Sequence, residues 1–266
     1  MNSSISIPVV FIHGLWTHEG GWEKWMELFN AHGYQALAPG RPGDRRGITE
    51  ITRHVAGIIR VLPGPPIVIG HCLGGLVAQK LLGLGLARGG VAIAPPQFRG
   101  IRLPSPTQIR TVWPLLDEDT DTIGFTREQF HERFANGLSR EESDDLYGWY
   151  HIRWDTQPVL EIAGANMSRR SPAAVDTRGK RGPLLLIAGK EDRIVPPSLV
   201  KAAYGRYRDT RSITEYQAFE GRGHSLCVDH GWADVAEAAL SFLDRQGLAA
   251  MPGARSSGRP ETASGF

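Results

Sequence analysis

The sequence has few of the features that mark a specialised class of protein. Of its 266 residues only two are cysteine, Cys72 and Cys227, too few for a disulfide framework or a cysteine-rich zinc site. Two cysteines could still form one disulfide bond with each other. Basic residues number 30 and acidic residues 28, so the net charge of +2 gives no electrostatic reason to expect nucleic acid or a membrane surface as a partner.

Long apolar runs are also missing. The longest, such as residues 184–188, are too short to cross a bilayer. The first residues have neither the basic region nor the cleavage site of a signal peptide, so we expect a cytoplasmic protein. The hydrophobic fraction of 41% is enough for one large domain with its own core.

Short apolar runs alternate with helical patterns along most of the chain. The predicted strands are residues 8–12, 35–38, 67–69, 91–94, 184–188 and 213–219. The predicted helices are residues 21–31, 49–62, 75–82, 198–207 and 232–245. This alternation predicts an α/β fold with a mostly parallel central sheet flanked by helices.

Residues 95–182 interrupt this alternation. They show no clear strand pattern, but two helix-start patterns occur at 126–129 and 139–142. We interpret this region as a helical lid within a single domain of residues 1–250; a second small domain is the alternative. Residues 251–266 are rich in Gly, Ser, Pro and Arg and are predicted to be disordered.

The clearest chemical signal is the segment IVIGHCLGGL at 67–76. A buried strand runs into a G-x-C-x-G turn centred on Cys72, and a helix follows at once. The two glycines allow a sharp turn that presents the thiol at a helix N-terminus, where an anion is stabilised. Because the thiolate is the attacking form, Cys72 is the predicted nucleophile, with a buried structural cysteine as the alternative.

This strand–turn–helix unit resembles the nucleophile elbow of the α/β-hydrolase superfamily, which normally carries serine at this position. The letters GHCLGG are similar to the elbow of dienelactone hydrolases, which use cysteine. The remainder of residues 7–247 resembles lid-bearing esterases and haloperoxidase-like members. The resemblance implies an α/β-hydrolase fold with a helical lid inserted after the strand ending near Ala94. A natural cysteine and one introduced in place of serine both fit the sequence.

The partners of the nucleophile follow in the order that this superfamily uses. Asp192 comes shortly after the strand at 184–188 and is the predicted carboxylate that orients a histidine. Glu191 is the rival acid, and the resemblance favours Asp192. His224, in a glycine-containing loop after the last strand, is the predicted general base towards Cys72 and later the general acid.

An HG pair, His13-Gly14, follows the first strand. In similar hydrolases this loop forms part of the oxyanion hole, which implies the backbone N–H groups of Leu15 and Leu73 as donors. We expect the side chain of His13 to hold the loop, and that of His71 to pack away from Cys72.

Trp16 and Trp113 are the candidate substrate-binding residues, because aromatic side chains often line apolar pockets. The other histidines show no ligand spacing and no dinucleotide fingerprint occurs, so neither a metal nor a cofactor is predicted. Cys227 could approach Cys72 in a regulatory disulfide, although a small buried side chain is the default.

The predicted function is hydrolysis of an ester, thioester or lactone through an acyl-cysteine, with a small-molecule acyl substrate as the partner. Because an acyl-cysteine is itself a thioester, acyl transfer to an amine, alcohol or thiol is an alternative. A small-molecule binding protein of the same fold, and lyase or cofactor-free oxygenase chemistry, are further alternatives. The sequence leaves the oligomeric state open.

Overall fold

The computed structural model describes residues 6–43, 47–101, 121–207 and 211–250. Its strands are β1 (Pro8–Ile12), β2 (Gln35–Leu37), β3 (Ile67–His71), β4 (Gly89–Ile93), β5 (Thr122–Ile123), β6 (Trp154–Asp155), β7 (Leu184–Gly189) and β8 (Thr214–Phe219). Six of them form a parallel sheet in the order β2-β1-β3-β4-β7-β8, and β5 pairs with β6 in a separate antiparallel ladder. The mostly parallel sheet predicted from the sequence is therefore confirmed.

Helices connect these strands. They are α1 (Glu23–Ala31), α2 (Ile48–Arg60), α3 (Leu73–Gly83), α4 (Arg127–Gln129), α5 (Arg140–Tyr150), α6 (Gln157–Ala163), α7 (Pro197–Arg206) and α8 (Trp232–Arg245). A 3₁₀ turn covers Glu19–Trp22, and a π-helical turn covers Phe130–Phe134. Among the described residues, no helix combines the length and the apolar character that a bilayer span needs.

The core lies on both faces of the central strands. Every residue of β1, β3, β4 and β7 is buried, which explains why these strands read as continuous apolar runs. Helix α2 buries one face, with Ile48, Ile51, Val55 and Ile59 at helical spacing.

The strand order places the loops that follow β1 and β3 side by side. From β1 the chain moves to one side to form β2, and it then returns to form β3 on the other side of β1. Ile12 at the end of β1 is paired with Gly70 near the end of β3. In parallel sheets, ligands bind at the carboxyl ends of the strands where the strand order reverses, so this edge is the expected position of a site.

The differences from the predicted elements have local causes. The structure begins β4 at Gly89, two residues before the prediction, because two glycines join the ladder and carry no side-chain pattern. Residues 95–182, which show no clear strand pattern, contain β5 and β6; these are two residues each and too short to give a pattern.

Both helix starts predicted in this region are confirmed. Thr126 Oγ1 accepts a hydrogen bond from the backbone of Gln129 in a capping box, and Ser139 Oγ accepts one from Glu142. The single-domain boundary at residue 250 stays a prediction. The tail at 251–266 lies outside the described residues.

Candidate active site

Cys72 occupies a strained turn between β3 and α3. Its φ of 51° lies in the left-handed region that non-glycine residues rarely adopt. Its backbone N–H donates to the carbonyl of Ile93 at 2.9 Å, which anchors the turn on the neighbouring strand. This geometry is that of a nucleophile elbow.

The two glycines of the elbow are required by close backbone contacts. A Cβ on Gly70 would lie 2.1 Å from the carbonyl oxygen of Gly74, and a Cβ on Gly74 would lie 2.0 Å from the carbonyl oxygen of Ile12. Neither position has room for a side chain. The G-x-C-x-G spacing therefore follows from the way the turn packs on itself and on β1.

The loop after β1 runs directly against the elbow. A Cβ on Gly14 would lie 2.8 Å from the Cβ of Cys72, so the chain that continues into Leu15 passes beside the thiol. Leu73 is the first residue of α3, and N–H groups in the first turn of a helix have no acceptor within that helix. The predicted oxyanion donors, Leu15 and Leu73, thus lie on the two segments that meet at Cys72.

Asp192 is held with one carboxylate oxygen turned to His224. Its Oδ1 accepts hydrogen bonds from the backbone N–H groups of Ile194 and Val195, both at 2.8 Å. Its Oδ2 accepts a hydrogen bond from His224 Nδ1 at 2.7 Å. Asp192 is buried, whereas the rival acid Glu191 is exposed, so the structure brings Asp192 and not Glu191 to the histidine.

His224 is completely buried, and its two ring nitrogens have different surroundings. Nδ1 donates to Asp192, while Nε2 makes no hydrogen bond of ideal geometry within the described part of the chain. Catalytic hydrogen bonds are often long in the free enzyme. Burial alone lowers the pKa of His224, but the Asp192 carboxylate and the nearby Cys72 thiol outweigh it and raise that pKa to about 10.

His71 contacts His224 from the elbow side. Its Nε2–H donates to the backbone carbonyl of His224 at 2.9 Å, and the two ring centroids are 4.7 Å apart. Burial, reinforced by the charge on His224, lowers the pKa of His71 well below its usual value, so this ring is neutral. The sequence predicted packing for His71 but gave no sign that it touches His224.

The loop that carries His224 is braced by a buried acid. Asp229 accepts a hydrogen bond from Ser225 Oγ at 2.9 Å and forms an ion pair with Arg222. Burial raises the pKa of Asp229, and Arg222 counters part of that rise. Arg222 and Ser225, which lie on either side of His224 in the chain, are thus linked through the Asp229 carboxylate.

Residues 130–136, here called the cap turn, cover His224. The ring of Phe134 stands edge-on to the His224 ring at 5.2 Å between centroids. The carbonyl of Phe134 accepts a hydrogen bond from the backbone N–H of Ser225 at 2.9 Å. The sequence predicted an aromatic lid but not this contact.

The cap turn also contacts the acid loop. Asn136 Nδ2 donates to the carbonyl of Glu191 at 2.7 Å, and Arg193 Nη1 donates to the carbonyl of Glu132 at 3.0 Å. Glu191 and Arg193 are the two neighbours of Asp192. One short turn therefore holds the segments of both Asp192 and His224, and π-helical turns of this kind are frequent at functional sites.

Both cysteines are unpaired and buried. Burial raises the pKa of the Cys227 thiol well above its usual value, and its backbone carbonyl accepts a hydrogen bond from Trp25 Nε1 at 2.8 Å. These contacts indicate a structural role for Cys227. Among the described residues, no three side chains of His, Cys, Asp or Glu converge on a point where a metal ion could be held.

The remaining predicted residues lie beside the elbow or outside the described chain. His13 donates from Nδ1 to the carbonyl of Gly14 at 3.1 Å, and burial lowers its pKa, which agrees with a loop-holding role. Trp16 is 2% exposed and packs on Phe125 at 4.5 Å between ring centroids. Trp113 lies outside the described residues.

Comparison with known proteins identifies the family of the chain. A model of the alpha/beta hydrolase family matches residues 9–238, so the chain belongs to that family and is an enzyme of the α/β-hydrolase type. Pimeloyl-[acyl-carrier protein] methyl ester esterase of Xylella fastidiosa is 25% identical over 254 residues, which are 88% of this chain and 94% of that protein.

Solved structures show the same fold. The monoacylglycerol lipase of Paleococcus ferrophilus superposes with a TM-score of 0.65 at 21% identity, over 90% of this chain and 94% of the lipase. A pyrethroid hydrolase of Sphingobium faniae superposes with a TM-score of 0.63 at 18% identity, over 91% of this chain and 99% of that one.

Proposed function

We propose that this enzyme hydrolyses an ester, thioester or lactone of a small-molecule acid through an acyl-cysteine intermediate on Cys72. The observation that carries the proposal is the buried series Asp192–His224–Cys72. The Asp192 carboxylate lies 2.7 Å from the His224 ring, and the pKa of that ring is raised to about 10. The Cys72 thiol lies on a strained elbow. The methyl ester esterase named among the relatives supports an ester as the substrate.

Before acylation, the proton that Cys72 and His224 share lies on His224, and Cys72 carries the negative charge. The Cys72 sulfur attacks the acyl carbonyl carbon, and the carbonyl oxygen becomes an oxyanion that the N–H groups of Leu15 and Leu73 stabilise. When the intermediate collapses, the bond to the leaving oxygen or sulfur breaks, and His224 Nε2–H gives it a proton. The products are an acyl-cysteine and an alcohol or thiol.

Deacylation returns the enzyme to its starting state. His224, now neutral, takes a proton from water as the water oxygen attacks the thioester carbonyl. Collapse of the second tetrahedral intermediate breaks the C–S bond and releases a carboxylic acid and the Cys72 thiolate. Asp192 holds Nδ1–H throughout, so that Nε2 stays directed at the reacting groups.

Acyl transfer is a second candidate, and the burial of the site favours it. Cys72 is 3% exposed and His224 is fully buried beneath the cap turn, so a bound amine, alcohol or thiol could reach the thioester in place of water. Assay of the products with and without an added amine separates the two reactions. Free acid alone in both cases supports hydrolysis, whereas an amide supports transfer.

The assignment is tested by trapping the acyl-enzyme. After incubation with an activated ester, intact mass and peptide mapping should place one hydroxylamine-sensitive acyl group on Cys72. Cys72→Ala should abolish it, whereas the matched variant Cys227→Ala should retain it. An adduct that persists in Cys72→Ala would refute the proposed nucleophile.

A further inference from the structure

Trp16 combines two costly features in the loop beside the elbow. Its φ is 63°, which a bulky non-glycine residue adopts only under strain. Its indole Nε1–H is buried and has no hydrogen-bond partner among the residues that the structure describes. Both features are unfavourable in the free protein, and strain of this kind persists where the surrounding structure enforces it, often at a ligand site.

The other tryptophans nearby lack this combination. Trp154 Nε1 donates to the carbonyl of Thr17 at 3.2 Å, and Trp25 Nε1 donates to the carbonyl of Cys227 at 2.8 Å. Buried indole N–H groups normally find a partner in this way. Trp16 is therefore the exception within one small region of the fold.

Trp16 is also connected to the reacting groups. It lies two residues after Gly14, which passes against Cys72, and its carbonyl is fixed by the N–H of Ile152 at 2.9 Å. Its ring packs on Phe125, the Phe125 ring neighbours Phe134 at 6.5 Å between centroids, and Phe134 covers His224. This row of aromatic rings runs from the oxyanion loop to the base.

We infer that Trp16 Nε1–H is a specificity donor for an acyl group that carries a second acceptor oxygen, such as an oxo group, besides the scissile carbonyl. This inference rests on the proposed function and narrows its substrate class. In an apolar aromatic row, one unpaired donor favours a substrate that supplies an acceptor, because the free donor is then satisfied on binding.

The test compares esters that differ only in that oxygen. The probes are p-nitrophenyl esters of one straight-chain acid and of its oxo acids, with the oxo group moved one carbon at a time. For the wild-type enzyme we expect kcat/KM on one oxo ester to exceed that on the plain ester by about 10-fold or more. In Trp16→Phe this ratio should fall to about one, whereas the matched variant Trp154→Phe should keep it.

Thermal stability gives an independent readout. Both Trp16→Phe and Trp154→Phe remove similar buried volume, but only Trp154→Phe also strands a carbonyl, that of Thr17, so Tm should fall further in Trp154→Phe than in Trp16→Phe. A drop in Tm of the same size in Trp16→Phe would show an internal acceptor, such as the Phe125 ring face, and would overturn the inference.

The kinetic outcomes separate this inference from the proposed function. Equal rates on all the esters, or an oxo preference that survives in Trp16→Phe, would reject the role of Trp16 while leaving the acyl-cysteine intact. Full turnover in Cys72→Ala would reject the nucleophile, and the oxo preference would still report on Trp16.

Discussion

The variant Asp192→Asn should move the proton on His224 with little change in the shape of the acid loop. The amide oxygen can keep the two backbone hydrogen bonds from Ile194 and Val195, which directs the amide NH₂ at His224 Nδ1. Nδ1 must then accept a hydrogen bond, so the neutral ring carries its proton on Nε2. In that tautomer Nε2 cannot take a proton from Cys72 or from water.

The expected loss of acylation rate is large because, in every cycle, the neutral His224 ring carries its proton on Nε2 and cannot accept another there. Acylation by an activated ester, followed as the burst of released p-nitrophenolate, should slow by roughly 10³–10⁴-fold. The pKa of His224 should also fall from about 10, because burial would no longer be offset by the carboxylate. An NMR titration of the His224 ring measures that change directly.

Glu191→Gln is the matched control, since it removes the same charge from the neighbouring exposed position. We expect its acylation rate to stay within about 2-fold of the wild type, as for other solvated surface charges. A wild-type burst in Asp192→Asn, or an equal loss in Glu191→Gln, would refute the assignment of the acid.

Two further predictions concern stability. Gly74→Ala places a Cβ 2.0 Å from the carbonyl oxygen of Ile12 and should lower the free energy of unfolding by about 3 kcal/mol or more. Gly57→Ala, on an exposed position of α2 with open space around it, should raise that free energy by about 0.5–1 kcal/mol. Urea denaturation checks both, and equal effects would contradict the packing described for the elbow. His151 accepts a hydrogen bond from the N–H of Phe125, and burial lowers its pKa to about 4. Since the unfolded chain takes up this proton near pH 6.5, stability should be lost as pH falls from about 6.5 towards 4. His151→Gln keeps an acceptor without titrating and should reduce this loss in urea titrations near neutral pH and at about pH 4.5.

The sheet and the order of the candidate triad could be predicted because their signals are local. Buried parallel strands appear as apolar runs, and the elbow glycines are needed for contacts within a few residues of Cys72 and with the adjacent β1. Asp192 and His224 follow the ends of β7 and β8, and parallel strands bring such positions to one edge of the sheet.

The contacts of the cap turn could not be predicted in this way. Its acceptors include the backbone carbonyls of Glu132 and Phe134, and its donor Asn136 bonds to the carbonyl of Glu191. Every residue has a carbonyl, so no residue type marks these partners. The contact of His71 with His224 was missed for the same reason, because its acceptor is also a carbonyl.

The cap turn couples the positions of the two loops that carry Asp192 and His224. Because it is hydrogen-bonded to the neighbours of both Asp192 and His224, any outward displacement must break bonds to both loops in one event. Displacement of the cap turn and misalignment of Asp192 with His224 are therefore mechanically linked.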